Sequence, residues 1–196
     1  FERIMPLDSE EGLDTELVRY RGELGLMHHY DLGDKPDVRG ALVSAIRRSK
    51  SLTHPRLQPV IGIDRERYVL PIVPGESLAA LMNAARIAER EPLPKIAMAH
   101  IAFQTAEALA ALHDAGHCYG WVTAEHVHVS LEGDVTLMGR PGVAVVQHGE
   151  SGTEGTPHTD VKAWARLVSE LGRHGDNNAL DESLAETAAK ARDGAF

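Results

Sequence analysis

At Pro74-Gly75 the spacing of apolar residues changes, and this change limits the fold more than any other feature of the sequence. Before it lie short apolar runs: Phe1 to Leu7, Leu17-Val18-Arg19-Tyr20, and Leu24 to Tyr30 after a turn at Gly22. Two more, Val60-Ile61-Gly62-Ile63 and Tyr68-Val69-Leu70, flank the polar turn Asp64-Arg65-Glu66. Runs of this length between turn signals read as strands and hairpins. One helical stretch interrupts them over 38–52, with Val38, Leu42, Ile46 and Leu52 at helix spacing after the loop Asp34-Lys35-Pro36-Asp37, and Pro55 stops it. After Pro74-Gly75 the period is helical, with Leu78, Leu81, Met82 and Ala85 in one stripe. Met98, Ile101, Thr105, Ala108 and Leu112 form another, in a helix over 95–114 that Gly116 ends. Two short strands follow, at Val127-His128-Val129 and Val135-Thr136-Leu137. Thr159 then caps a helix carrying Val161, Trp164, Val168 and Leu171 and closed by Gly172, and a last helix runs from about 180 to 191. Strands first and helices after predict an α+β protein of two lobes, 1–73 and 74–196.

Charge and composition remove several functions. Twenty Lys and Arg against 29 Asp and Glu give a net charge of −9, which disfavours nucleic acid as a partner. No apolar run approaches the roughly 20 residues that span a bilayer, so this segment is not expected to insert in a membrane. The lone Cys118 excludes an internal disulfide and suits a reducing cytoplasm. The chain opens on Phe1 rather than Met, as expected of a domain from a longer protein, which itself has room for a membrane anchor.

Five stretches, in order, resemble landmarks of the protein-kinase superfamily, in particular bacterial Ser/Thr kinases. Thr53-His54-Pro55-Arg56-Leu57 is similar to the segment after the family's αC helix. Tyr68 to Leu78 resembles its hinge and the start of the next helix. Ala106 to Gly116 looks like the end of its αE helix and runs into Tyr119-Gly120-Trp121-Val122-Thr123-Ala124-Glu125-His126-Val127 at the catalytic loop. Asp160-Val161 resembles the start of αF. The resemblance implies a small β-rich lobe with one helix and a mainly helical lobe cut short after αF.

It also implies that the chemistry has gone. Phosphoryl transfer needs a phosphate-cradling loop, a Lys–Glu pair, a base and metal ligands. The segment after Leu7 holds Asp8, Glu10, Glu11, Asp14 and Glu16 but only one glycine, Gly12. Like charges about 4 Å apart repel by roughly 4 kcal/mol at an effective dielectric near 20, so this segment would repel a triphosphate. His28 stands for the lysine and Ala45 for its glutamate, with no Lys in 21–34 and no Glu in 34–52. Trp121 takes the place of the base and His126 that of the Asn metal ligand. An indole neither accepts a proton from a hydroxyl nor offers an oxygen to a metal. Gly139 and Arg140 stand where the second metal-binding Asp belongs. The peptide-docking segment is missing too, because Asp160 follows Gly155-Thr156-Pro157 almost at once.

Three features point to binding instead. Asp160 matches the aspartate that in the family holds the catalytic-loop backbone. Pro71 and Val73 fall at the carbonyl and N–H that pair with adenine, leaving a weak, metal-free hinge site. Thr153, Thr156 and Thr159 lie in a Gly-rich loop as phosphoacceptors for an active kinase. Among the 11 histidines, His113/His117 and His126/His128 are the tempting zinc pairs, but no cysteine cluster accompanies them. The expectation is a non-catalytic, cofactor-free pseudokinase that binds proteins, with an active kinase or a phosphothreonine-binding domain among its partners. The rival readings are a nucleotide sensor without turnover and a divergent phosphotransferase. An indole and a guanidinium at Trp121 and Arg140, with the loop at 8–14, are expected to plug part of the nucleotide cleft.

Overall fold

A computed structural model of the chain describes residues 1–7, 13–33, 35–88, 93–120, 122–139, 156–174, 186–187 and 189–191. The architecture is α+β, and the chain divides into two compact units. One comprises Phe1–Val73 and takes in Gly139; the other comprises Pro74–Met138 and takes in the helix that begins at Pro157.

The first unit is a five-stranded antiparallel sheet with one helix. Its strands are β1 (Glu2–Pro6), β2 (Leu13–Tyr20), β3 (Glu23–Tyr30), β4 (Gly62–Asp64) and β5 (Arg67–Pro71), in the order β1-β2-β3-β5-β4. Tyr20 pairs with Glu23, so Arg21 and Gly22 form a two-residue turn, with φ of 51° and 94°. Two positive φ values give a turn whose twist matches that of the strands. Asp64 pairs with Arg67 around Arg65-Glu66 in the second hairpin.

Helix α1 (Pro36–Lys50) begins at Pro36, whose fixed φ suits a first helical turn, and Arg47, Arg48 and Lys50 sit at its negative end. It therefore starts earlier and stops sooner than the stripe suggests. Val38, Leu42 and Ile46 are buried against Leu13, Tyr30, Tyr68 and Leu70 of the sheet and against Val60. Each such side chain contributes about 1.5–3 kcal/mol of burial, and this is what fixes α1 on the sheet. Asp14 and Glu16 prove to be strand residues of β2 rather than members of an acidic loop. Glu16 is paired with Arg3 Nε at 2.9 Å. Residues 8–12 lie outside the described residues.

The second unit holds α2 (Leu78–Ile87), α3 (Lys95–Asp114), α4 (Pro157–His174) and a small antiparallel sheet of β6 (Glu76–Ser77), β7 (Val127–Val129) and β8 (Val135–Leu137). Ser77 caps α2 by accepting from Ala80 N at 3.1 Å. The expected stripe of α3 is buried throughout. Ala102, Ala165, Val168 and Ala191 pack together, and their small size lets α3 and α4 approach closely. Trp164 Nε1 donates to Ala102 O at 2.9 Å across the same contact. Gln104, also buried, accepts from Val135 N at 2.7 Å and so ties α3 to β8.

Helix α4 corrects two expectations. It begins at Pro157, with Thr156 rather than Thr159 as its cap: Thr156 Oγ1 accepts from Thr159 N at 3.2 Å. Proline at the first helical position with threonine before it is a favoured start. Gly172 does not end the helix, which continues to His174. No helix among the described residues is long and apolar enough to cross a membrane.

Candidate functional site: the carboxylate-held loop and the strand end

In the second unit the site is built around Asp160, in the first turn of α4 and 1% exposed. A buried carboxylate needs several strong hydrogen bonds. Asp160 has three. Oδ1 accepts from Gly120 N at 2.7 Å, and Oδ2 accepts from Tyr119 N at 2.7 Å and His113 Nε2 at 2.9 Å. His113 comes from the last turn of α3, where Gly116, at φ +74°, turns the chain so that His117 N bonds Leu112 O. The end of α3, the following loop and the start of α4 therefore converge on one carboxylate. Tyr119 is held at its other end as well, since its hydroxyl donates to Met138 O at 2.6 Å.

The loop's far end is equally ordered. His126 is buried, its Nδ1 meets Thr123 Oγ1 at 3.3 Å, and its carbonyl accepts from Met138 N at 2.8 Å. It packs edge-on to Tyr119 at 6.4 Å. The Thr123 hydroxyl lowers the Glu125 pKa, helped by that residue's own backbone N–H and by His126. Trp121 lies outside the described residues, as do Arg140 and Thr153, so the expected plug does too.

Among the described residues, the donor atoms of His113, Cys118 and Asp160 lie within 4.8 Å of one another, a grouping that could hold a metal ion. Both Asp160 oxygens are already engaged by hydrogen-bond donors, and burial followed by the charge of Asp160 pushes the Cys118 thiol pKa up. The hydrogen bonds to Asp160 make this grouping an anchor for the loop. The sequence offered His113 only as a partner for His117; its actual partner is 47 residues away.

His128 stands apart on β7, with Nδ1 buried and without a hydrogen-bond partner among the described residues. Burial lowers its pKa, and Glu76 opposes the shift without reversing it. The unfolded chain therefore takes up a proton more readily than the folded one, so stability is retained above the ordinary histidine pKa and lost as pH falls through the folded value. Urea unfolding between about pH 7 and pH 5 should show this loss, and His128→Asn should flatten it.

In the first unit, His28 is a buried sheet residue. It pairs through Nδ1 with Thr15 Oγ1 at 3.1 Å and lies 5.3 Å from the Tyr68 ring. Ala45 is half-buried on α1. Pro71 ends β5, and its carbonyl accepts from Gln58 Nε2 at 2.7 Å. Val73 is half-buried. Gln58 Oε1 in turn accepts from Gly139 N at 2.8 Å. A Cβ on Gly139 would lie 2.8 Å from the Gln58 carbonyl oxygen, so no larger residue fits there without backbone movement. Sequence reasoning missed Gln58, although one amide between Leu57 and Val60 was a visible signal.

Thr156 and Thr159 are exposed but belong to the start of α4, not to a loop. Thr159 Oγ1 donates to Thr156 O at 2.7 Å, so both hydroxyls serve the cap, and a kinase acting on either must first open that turn. No protein-family model matches the chain, and no curated protein matches it in sequence.

Proposed function

We propose that this chain is a kinase-like domain without phosphotransfer activity, which acts as a protein-binding scaffold or regulator in bacterial signalling. The observation that carries the reading is Asp160: a buried carboxylate grips the backbone of Tyr119 and Gly120, as the resemblance requires of the αF aspartate. The support around the catalytic loop is kept while its chemistry is gone. His28 is committed to the sheet and His126 to Thr123, and Gly139 is packed so closely on Gln58 that an aspartate would not fit. Neither described position, His126 or Gly139, carries a side-chain oxygen for a divalent cation. The two-lobed kinase-like arrangement and a cytoplasmic site, consistent with a single free cysteine, belong to the same proposal.

The partners are proteins: an active kinase, and a phosphothreonine-binding domain that would read a phosphate at Thr153, Thr156 or Thr159. Arginine contacts to the phosphate would provide that recognition. A thermal-shift titration with ATP, with and without Mg²⁺, tests the reading. The expected result is no shift in either condition; a large shift that requires Mg²⁺ would overturn it.

A further inference from the structure

Gln58 is 5% exposed, in a run otherwise apolar from Leu57 to Ile61 apart from Pro59. A carboxamide is tolerated there only if both of its ends are paired. Its NH₂ donates to the carbonyl at the end of β5, at Pro71, and its oxygen accepts from Gly139 N. The backbone of residue 58 also lies against Gly139. Residue 58 thus ties together two points that lie 13 and 81 residues further along the chain, within one compact unit.

The chemistry of the pair is specific. A carboxamide offers a donor and an acceptor side by side, as the amino edge of adenine does. The donor of Gln58 goes to the same oxygen that the hinge resemblance assigns to an adenine amine. We propose that Gln58 is an internal ligand of this strand end, standing where a purine amine would stand and keeping the carbonyl closed to it. This rests on the kinase-like reading of the hinge. A base amine that approaches along the lone pair Gln58 occupies must displace the carboxamide and leave its buried groups unpaired, which weakens base binding roughly 10- to 100-fold.

Three variants test the clamp and the base site separately. Gln58→Glu removes the donor at neutral pH and puts a charge against a carbonyl. Its folded-state pKa is therefore raised, and protonation restores an O–H donor. The unfolding midpoint should fall by roughly 5–10 °C near neutral pH and recover as the solution is acidified toward about pH 5. Gln58→Leu fills similar space, loses both partners and should fall without that recovery. Adenosine, used as the probe, should bind the Gln58→Ala protein at least about tenfold more tightly than the wild type. In the wild type it should leave the Gln58 side-chain amide signals unmoved in NMR spectra. A Gln58→Glu protein as stable as wild type at neutral pH would overturn the clamp, whatever the fold's kinship. A clamp that behaves as described, with no gain in adenosine affinity on Gln58→Ala, would overturn the base-mimic role and count against the hinge assignment.

Discussion

Asp160→Ala is expected to cost about 3–5 kcal/mol of folding stability, because it deletes the only acceptor described for two backbone N–H groups and the His113 ring. The lost carboxylate is buried, so water cannot replace it without opening the packing between α3 and α4. Asp160→Asn should cost less, since one oxygen remains, but its NH₂ would meet a donor and leave at least one N–H unpaired. Urea unfolding at neutral pH measures both. Hydrogen exchange adds a local readout: the Tyr119 and Gly120 amides should exchange much faster in the alanine variant. A cost below about 1 kcal/mol, with those amides still protected, would mean that the carboxylate does not hold the loop.

Gly75→Ala is expected to be as severe. Gly75 has φ +108°, outside the range that L side chains adopt at low cost. A Cβ there would lie 2.2 Å from the Val129 carbonyl oxygen and 2.8 Å from Ser130 Cα, both backbone atoms that cannot turn aside. The next residue, Glu76, pairs with Val129, so relief would break the β6–β7 pairing. The combined cost should exceed about 4 kcal/mol, seen as loss of the cooperative melt or of soluble protein. Gly22→Ala is the matched control: φ is +94°, but no atom lies within 4 Å of the added carbon, so only the conformational penalty of about 1–3 kcal/mol applies.

The sequence revealed what periodicity encodes. Helix α3 runs over Lys95–Asp114, as its stripe indicates, because Met98, Ile101, Thr105, Ala108 and Leu112 all face the interior. The α1 stripe through Val38, Leu42 and Ile46 is buried for the same reason. Ends were harder to read. At α4 Thr159 has the character of a good cap, yet a proline at the first helical position, with Thr156 before it, fixes the start more firmly than a second threonine can. Gly172 lies inside α4 because flanking Leu171 and Val168 are buried, and that packing outweighs the roughly 1 kcal/mol cost of a helical glycine.

Charge alone places Asp14 and Glu16 in a loop, but β2 carries them at exposed and half-buried positions while Leu13 and Val18 are buried. The long-range polar contacts had no local signature. Asp160 was reached through the resemblance alone, and nothing near residue 58 announces Pro71 or Gly139 as partners. Such contacts depend on which elements meet, which the pattern of a single element does not encode.

Transfer of label from γ-phosphate-labelled ATP tests the absence of phosphotransfer most directly. Purified protein incubated with labelled ATP and Mg²⁺, alone and with a general protein acceptor, should transfer no label above the protein-free background. Magnesium-dependent labelling that disappears on a single substitution in this chain would contradict the account.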